Sequence, residues 1–127
     1  MLSKMSDLDR ALVERILRRA GAVFGFLHGS RVQGTARPSS DWDVAAYWGN
    51  DPPDAWQVDV PSGVDLVVLD SAPLELAGRV ALHGQLLFEA DPTTRVRWQA
   101  QTRLIYLDEE QRQRRLDAIY FAGRRRG

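Results

Sequence analysis

The sequence predicts an α/β (α+β) fold in which a short β-sheet is flanked by helices and followed by a long C-terminal helix. Two patterns lead to this fold class. Apolar residues recur at helical spacing near both ends, and short apolar runs bounded by glycine and proline fill the middle. The 127 residues suit a single domain, residues 1–127. The chain contains no cysteine, which excludes disulfides, thiolate metal sites and a cysteine nucleophile.

An N-terminal helix is predicted within residues 1–20. Ser6 can cap this helix, Asp9 stands three residues later in a capping-box position, and Gly21 is a stop signal. Charged residues interrupt the segment, so it lacks the apolar stretch of a secretory signal. No apolar run approaches the ~20 residues that a membrane span needs. We therefore expect a soluble cytoplasmic protein that does not enter a membrane.

Residues 21–90 are predicted to form the sheet core. Four short apolar segments bounded by turn residues favour strands: residues 22–27, 41–48, 64–69 and 85–89. The proline-rich residues 49–63 predict a connection or a weak edge hairpin. A helix is predicted between Pro73 and Gly84, because proline favours the start of a helix and glycine its end.

Residues 91–122 predict a C-terminal helical segment that starts at Asp91-Pro92. The pattern fits one long helix or two helices broken near Asp108. Residues 123–127 form a basic tail, and Arg124 to Gly127 are expected to be unstructured. Tyr106 and Tyr120 in this segment are candidate interface anchors, or they belong to the apolar face of the helix itself.

Charge is distributed unevenly, although the net charge of the chain is zero. Residues 1–40 carry seven basic and three acidic side chains, and residues 92–127 carry nine basic and four acidic ones. Residues 41–91 carry ten acidic side chains and one basic side chain. Divalent cations or the flanking arginines are candidates to neutralise this acidic middle, and a solvated acidic face is the simpler interpretation.

The segment that points to chemistry is Gly29-Ser30, followed after ten residues by Asp41-Trp42-Asp43. In a strand, Asp41 and Asp43 point to the same face, and two carboxylates there repel each other unless a cation lies between them. Oxygen ligands suit Mg²⁺ or Mn²⁺. Glycine allows close approach of the backbone to a ligand, and the following N–H groups and hydroxyl can hold phosphate oxygens. Taken alone, however, Gly29-Ser30 is also typical of a turn that ends a strand.

Asp65 interrupts an otherwise apolar strand, residues 64–69. A carboxylate buried there without a partner would be costly. If this strand lies beside the strand of Asp41 and Asp43, Asp65 completes a cluster of three carboxylates. The alternative is that Asp65 lies at the exposed beginning of its strand.

The segment from Leu27 to Val44, with Gly29-Ser30 and Asp41-Trp42-Asp43 inside it, resembles the signature of DNA polymerase β-type nucleotidyltransferases. It is most similar to the minimal nucleotidyltransferases (MNT), which pair as antitoxins with HEPN-class ribonuclease toxins. Two positions depart from the pattern: Gln33 replaces an arginine common in relatives, and Trp42 replaces an aliphatic residue. The resemblance implies the nucleotidyltransferase fold, with a short mixed β-sheet.

The resemblance also implies a mechanism. ATP would be the donor of AMP, with Gly29 and Ser30 at its β- and γ-phosphates. Arg31 and Arg37 would lie near the triphosphate. The residues implied as both metal ligands and catalytic groups are Asp41, Asp43 and Asp65. They would bind Mg²⁺, most simply as two ions, and Asp65 is the candidate base. The acceptor would be a toxin tyrosine, which makes the chain a protein adenylyltransferase in a hetero-oligomer with a HEPN-type toxin.

Two other functions stay open. One is a stoichiometric antitoxin that masks the toxin without chemistry, and the other is a small-molecule nucleotidyltransferase of the aminoglycoside-modifying kind. The intact set of three aspartates favours an enzyme, and 127 residues leave little chain for a small-molecule acceptor pocket. The C-terminal arginines alternate with acids, so the sequence does not favour nucleic acid as the partner.

Four further side chains have two interpretations each. His28 could contact a phosphate, but a backbone hydrogen bond at the strand end is the simpler role. Trp48, Trp56 and Trp98 could stack on adenine, but packing in the core or against a partner is the stronger expectation.

Overall fold

The computed structural model describes residues 7–29, 32, 34 and 41–126. The predicted helix cap Ser6 lies outside these residues. Three of the predicted nucleotide-binding residues, Ser30, Arg31 and Arg37, also lie outside them.

Three α-helices and four β-strands follow one another in the described part of the chain. In order they are α1 (Asp7–Arg19), β1 (Phe24–His28), β2 (Trp42–Tyr47), β3 (Val64–Val68), α2 (Leu74–His83), β4 (Gln85–Glu89) and α3 (Pro92–Arg126). Short 3₁₀ turns occupy Ala55–Gln57 and Leu69–Ser71. All four predicted strands are present, with ends that differ from the prediction by no more than two residues.

The four strands form one mixed sheet in the order β3-β2-β1-β4. Strand β1 pairs antiparallel with both β2 and β4, whereas β2 and β3 run parallel. The parallel pair is possible because the chain between Tyr47 and Val64 crosses back to the end of the sheet where β2 began. The predicted α/β (α+β) class with a short mixed sheet and a long C-terminal helix is confirmed.

The first face of the sheet packs against α1. Val13 and Leu17 of α1 are fully buried in a cluster with Val44 and Ala46 of β2. Trp48 belongs to the same cluster, and its indole N–H donates a 2.9 Å hydrogen bond to the carbonyl of Ala20. The buried indole therefore ties the end of β2 to the end of α1, which is the core role that the sequence favours.

The second face packs against α2 and α3 through an aromatic cluster. The ring of Phe24 lies 5.1 Å from that of Tyr47 and 5.3 Å from that of Trp98, measured between centroids. Phe26 completes the cluster. Trp98 thus anchors the first half of α3 to the sheet.

Helices α2 and α3 pack closely because α2 presents a glycine. The ring of Tyr106 occupies the place where a Cβ on Gly78 would stand. The side chains of Gln99 and Arg103 both donate hydrogen bonds to the carbonyl of Ala81, at 2.9 and 2.6 Å. These contacts hold the first part of α3, to about Tyr106, against α2.

Two open alternatives are decided, and one local prediction is wrong. Helix α3 is a single helix of 35 residues, with no break near Asp108, so the first of its two alternatives is confirmed. Residues 49–63 form a connection that contains the 3₁₀ turn Ala55–Gln57 and no strand, because proline lacks the N–H that a ladder needs. The wrong prediction is the unstructured tail, since α3 continues to Arg126.

The second half of α3 extends beyond the domain. All residues from 111 to 124, here called the arm, are exposed. No helix in the described ranges is long and apolar enough to cross a membrane.

Candidate active site

Three neighbouring strands bring His28, Asp43 and Asp65 into one row. In the antiparallel pair β1–β2, His28 lies opposite Asp43. In the parallel pair β2–β3, Asp43 lies beside Asp65. Residues in register on neighbouring strands point to the same face of a sheet. The strand of Asp65 therefore does lie beside that of Asp43, as one of the two interpretations of Asp65 requires.

Strand alternation places this row on the second face of the sheet. Trp42, Val44 and Ala46 belong to the cluster on the first face, so Asp43 shares the second face with Ala45 and Tyr47. Ala45 is fully buried, whereas Asp43 is half-buried and Asp65 is exposed. The row thus lies where the apolar packing of the second face ends and solvent begins.

Gly29 is the residue that lets the turn after β1 approach Asp43. Its φ angle is +81°, in the left-handed region that favours glycine. A Cβ built on Gly29 would collide with the carboxylate of Asp43. The two halves of the sequence motif, Gly29 and Asp43, are therefore in contact, and any larger residue at position 29 would displace the carboxylate.

Asp43 is the electrostatic centre of the site. Burial raises its pKa above the usual range for an aspartate, and the charges of Asp65 and Asp41 raise it further. His28 acts in the opposite direction. A half-buried carboxylate with two further carboxylates near it forms a site that a cation would stabilise.

His28 is a part of the site that the sequence did not assign to it. Burial lowers the pKa of His28, while Asp43 and Asp65 oppose that shift. Its buried Nε2 atom has no hydrogen-bond partner within the described residues, so the expected backbone bond is not present at this atom. A buried nitrogen without a partner is costly, and His28 stands opposite Asp43 in the sheet. The position directly before Gly29 was the only signal in the sequence.

Asp70 is an aspartate of the acidic middle with a structural role. Its two carboxylate oxygens accept hydrogen bonds from the backbone N–H groups of Trp48 and Gly49, at 3.0 and 2.7 Å. Asp70 therefore fixes the chain at the end of β2. It does not belong to the row of His28, Asp43 and Asp65.

The structure thus brings together four of the predicted site residues: Gly29, Asp41, Asp43 and Asp65. The donor set consists of carboxylate oxygens, which suits a hard divalent cation such as Mg²⁺. In the described ranges, no three His, Cys, Asp or Glu side chains are arranged as they stand to hold a metal ion.

A family model described as polymerase beta, nucleotidyltransferase matches residues 12–93, which include the whole sheet and the three aspartates. No curated protein matches the chain significantly. Solved structures do match. A toxin–antitoxin with AMP-PNP is 26% identical with a TM-score of 0.70, over 87% of this chain and 97% of that one. The toxin–antitoxin MntA-HepT is 23% identical with a TM-score of 0.69, over 90% and 98%.

A third similar structure is the tri-AMPylated Shewanella oneidensis HEPN toxin in complex with its MNT antitoxin. It is 24% identical with a TM-score of 0.67, over 91% of this chain and 98% of that one. At these levels of identity, the last two structures establish the likeness of the fold.

Proposed function

The chain belongs to the polymerase β nucleotidyltransferase family, and from that premise we propose that it transfers AMP from ATP to a tyrosine of a HEPN-class toxin. In this function the chain is an antitoxin that neutralises its partner by covalent modification. The alignment of Asp43 with Asp65, next to Asp41 and in contact with Gly29, is the observation that carries the proposal.

Similar structures support the choice of donor and acceptor. One of them contains AMP-PNP, an ATP analogue, in a toxin–antitoxin complex. Another contains a HEPN toxin that carries three AMP groups beside its MNT antitoxin. For this chain, ATP as the donor and a HEPN toxin as the acceptor are therefore the first substrates to test.

In this proposal, the site residues bind either the phosphates of ATP or the metal ion. Gly29 would bring backbone close to the phosphates, and Ser30, Arg31 and Arg37 would bind the β- and γ-phosphates. Asp41, Asp43 and Asp65 would hold Mg²⁺. When bound, Mg²⁺ neutralises phosphate charge and makes the α-phosphorus easier to attack.

The proposed base is Asp65. A tyrosine hydroxyl has a pKa near ~10, so it needs help to lose its proton at neutral pH. Asp65 is exposed, which leaves it accessible to a tyrosine on a large protein. The tyrosine Oη forms a bond to the α-phosphorus while the bond from that phosphorus to the β-phosphate oxygen breaks. Asp65 accepts the Oη proton, and pyrophosphate leaves with the electron pair of the broken bond.

The direct experiment measures the intact mass of the HEPN-type toxin after incubation with this chain, ATP and Mg²⁺. We expect the toxin to gain one or more AMP units. The Asp41→Ala/Asp43→Ala double variant should give no gain, whereas Asp59→Asn, an exposed aspartate away from the row, should behave as the unaltered chain.

Other outcomes would overturn the proposal in distinct ways. A stable complex without any mass gain would make the chain a binding antitoxin that masks the toxin. Transfer to an aminoglycoside in the absence of toxin would make it a small-molecule nucleotidyltransferase.

A second measurement tests the metal ligands without activity. Mg²⁺ should raise the melting temperature of the unaltered chain, because a ligand that binds the folded state stabilises it. The Asp41→Ala/Asp43→Ala variant should melt at the same temperature with and without Mg²⁺. An equal response of both proteins would remove these aspartates from the metal site.

A further inference from the structure

The arm of α3 exposes apolar and basic side chains that no other segment of the described chain buries. Residues 111–124 carry four arginines and one aspartate. Large apolar side chains are exposed along it, including Leu116 at 46% and Ile119 at 70%. A helical segment of this length is marginal in water by itself, so a partner that covers its apolar side chains would stabilise it.

One stripe of α3 has the spacing of a coiled coil. Its members, separated alternately by three and four residues, are Thr102, Ile105, Glu109, Arg112, Leu116 and Ile119. The stripe runs from the part of α3 that packs on the domain into the arm. Ile105, near its beginning, is 56% exposed although α2 packs on a neighbouring side of the helix.

Two copies of this stripe bring complementary side chains together only when the two helices run antiparallel. In an antiparallel pair with its two-fold axis between Glu110 and Gln111, Ile105 of one chain faces Leu116 of the other. In the same arrangement Glu109 faces Arg112. A parallel pair in register would instead place Glu109 against Glu109 and Arg112 against Arg112. Like charges in contact oppose that arrangement.

We propose that α3 pairs antiparallel with α3 of a second copy of this chain, through the stripe from Thr102 to Ile119. This homodimer is independent of the proposed AMP transfer and makes no use of the aspartate row.

The side chains beside the stripe fit the same register. Asp108 flanks the stripe on the exposed side, and in the antiparallel pair it lies next to Arg115 of the second copy. Within one helix these two residues are seven apart, about 10 Å along the axis, so they cannot form a pair there. The register therefore gives Arg115 an acidic partner, which its own helix does not offer at the positions three and four residues away.

The groove between α2 and α3 offers room and charge for the second arm. Its lining residues are Leu74, Glu75, Tyr106, Glu109, Glu110 and Gln113. Three of these are acidic, which suits an arm that bears arginines. Leu74 adds an exposed apolar contact at the start of α2.

A second copy fits this surface better than a nucleic acid does. Nucleic acid would leave Ile105, Leu116 and Ile119 uncovered, because phosphates contact cations and not aliphatic side chains. Arg112 also already donates a 2.6 Å hydrogen bond to Glu109 of its own helix, so its charge is partly neutralised.

Sedimentation of the full chain alone tests the pairing. We expect a dimer, and we expect Asp108→Arg or Arg115→Asp to raise its dissociation constant about tenfold or more, since each places like charges together. The double variant, Asp108→Arg with Arg115→Asp, should restore the dimer. Arg114→Asp makes the same charge change on the opposite side of the helix and should leave the dimer intact. A monomeric chain, or a double variant no better than the single ones, would overturn the proposal.

Introduced cysteines test the direction and register, because the chain has none of its own. An Ile105→Cys chain mixed with a Leu116→Cys chain should form the mixed disulfide, while neither variant should form a disulfide with itself. Disulfides within each single variant would indicate a parallel pair and overturn the proposal. Both positions are exposed, so we expect each variant to fold, and an unchanged melting temperature verifies this. A monomeric arm that binds RNA would also overturn it.

Discussion

Asp43 combines partial burial with two neighbouring carboxylates, and both raise its pKa. A group whose pKa is higher in the folded state than in the unfolded state holds its proton more tightly when folded. The stability that it contributes is present below the unfolded pKa and is lost as the pH rises through the raised pKa. At neutral pH without a cation, the charged Asp43 therefore weakens the fold that carries it.

The Asp43→Asn variant should raise stability and abolish activity. Because the amide carries no charge, we expect this variant to melt at a higher temperature than the unaltered chain at pH 7 without Mg²⁺. The difference should shrink as the pH falls through the raised pKa of Asp43, where the carboxyl becomes protonated. The same variant should lose AMP transfer. Thermal melts at several pH values and the mass assay check both parts. A lower melting temperature at pH 7 would contradict the electrostatic argument.

Gly29 is the other residue whose identity the local geometry demands. Gly29→Ala would introduce a Cβ at positive φ and into the carboxylate of Asp43. We expect a loss of about 1–3 kcal/mol in the free energy of unfolding, together with a large fall in AMP transfer. Gly63→Ala is the matched control, since Gly63 has a φ of +87° but nothing within 4 Å of its Cβ position. Denaturant titration should show a smaller loss for Gly63→Ala, and equal losses would mean that the clash with Asp43 has no consequence.

At the scale of elements, the contact between α2 and α3 determines how α3 leaves the domain. Gly78 admits the ring of Tyr106, and the carbonyl of Ala81 accepts hydrogen bonds from Gln99 and Arg103. Together with Trp98 in the aromatic cluster, these contacts fasten the first half of α3. The second half continues as one helix to Arg126, although Gly123 lies near its end.

Gly78→Ala should loosen this contact. The added methyl group would occupy the space of the Tyr106 ring, and overpacking of this kind costs about 1–3 kcal/mol in the free energy of unfolding. In a Tyr106→Ala background the same substitution should cost much less, because the ring is gone. Chemical denaturation of the four proteins measures this coupling. Additive effects would contradict direct packing of the ring on Gly78.

At the scale of the whole molecule, the chain divides into a packed domain and an exposed arm. The domain contains both faces of the sheet, with α1 on the first and α2 and α3 on the second. The arm contributes no buried side chain among residues 111–124. Stability and association are therefore expected to depend on different parts of α3.

Truncation after Glu110 tests this division. We expect the melting temperature of the shortened chain to differ by no more than about 2 °C from that of the monomeric full chain, because no core contact is lost. The shortened chain should not form dimers, because it lacks Leu116 and the two arginines, Arg112 and Arg115, that would pair with Glu109 and Asp108. Calorimetry at low protein concentration and sedimentation check the two parts. A large loss of stability would show that the arm packs on its own domain.

Local patterns were enough to predict the elements of the fold. Apolar runs bounded by turn residues predicted β4 with its observed limits and the other strands within two residues, because burial and turn chemistry are encoded over short stretches. The spacing of Gly29 and Asp43 also predicted which residues belong together. The sequence alone indicated a tail after residue 123, where the structure has helix.

What the sequence by itself determined was therefore the set of elements and the identity of the motif residues, whose spacing along the chain is fixed by covalent structure. Tertiary structure decided what depends on pairing between distant segments. The parallel register of β2 and β3 aligned Asp65 with Asp43, and the antiparallel register of β1 and β2 placed His28 opposite Asp43. Strand register is set by the packing of both faces of the sheet, which no single segment contains.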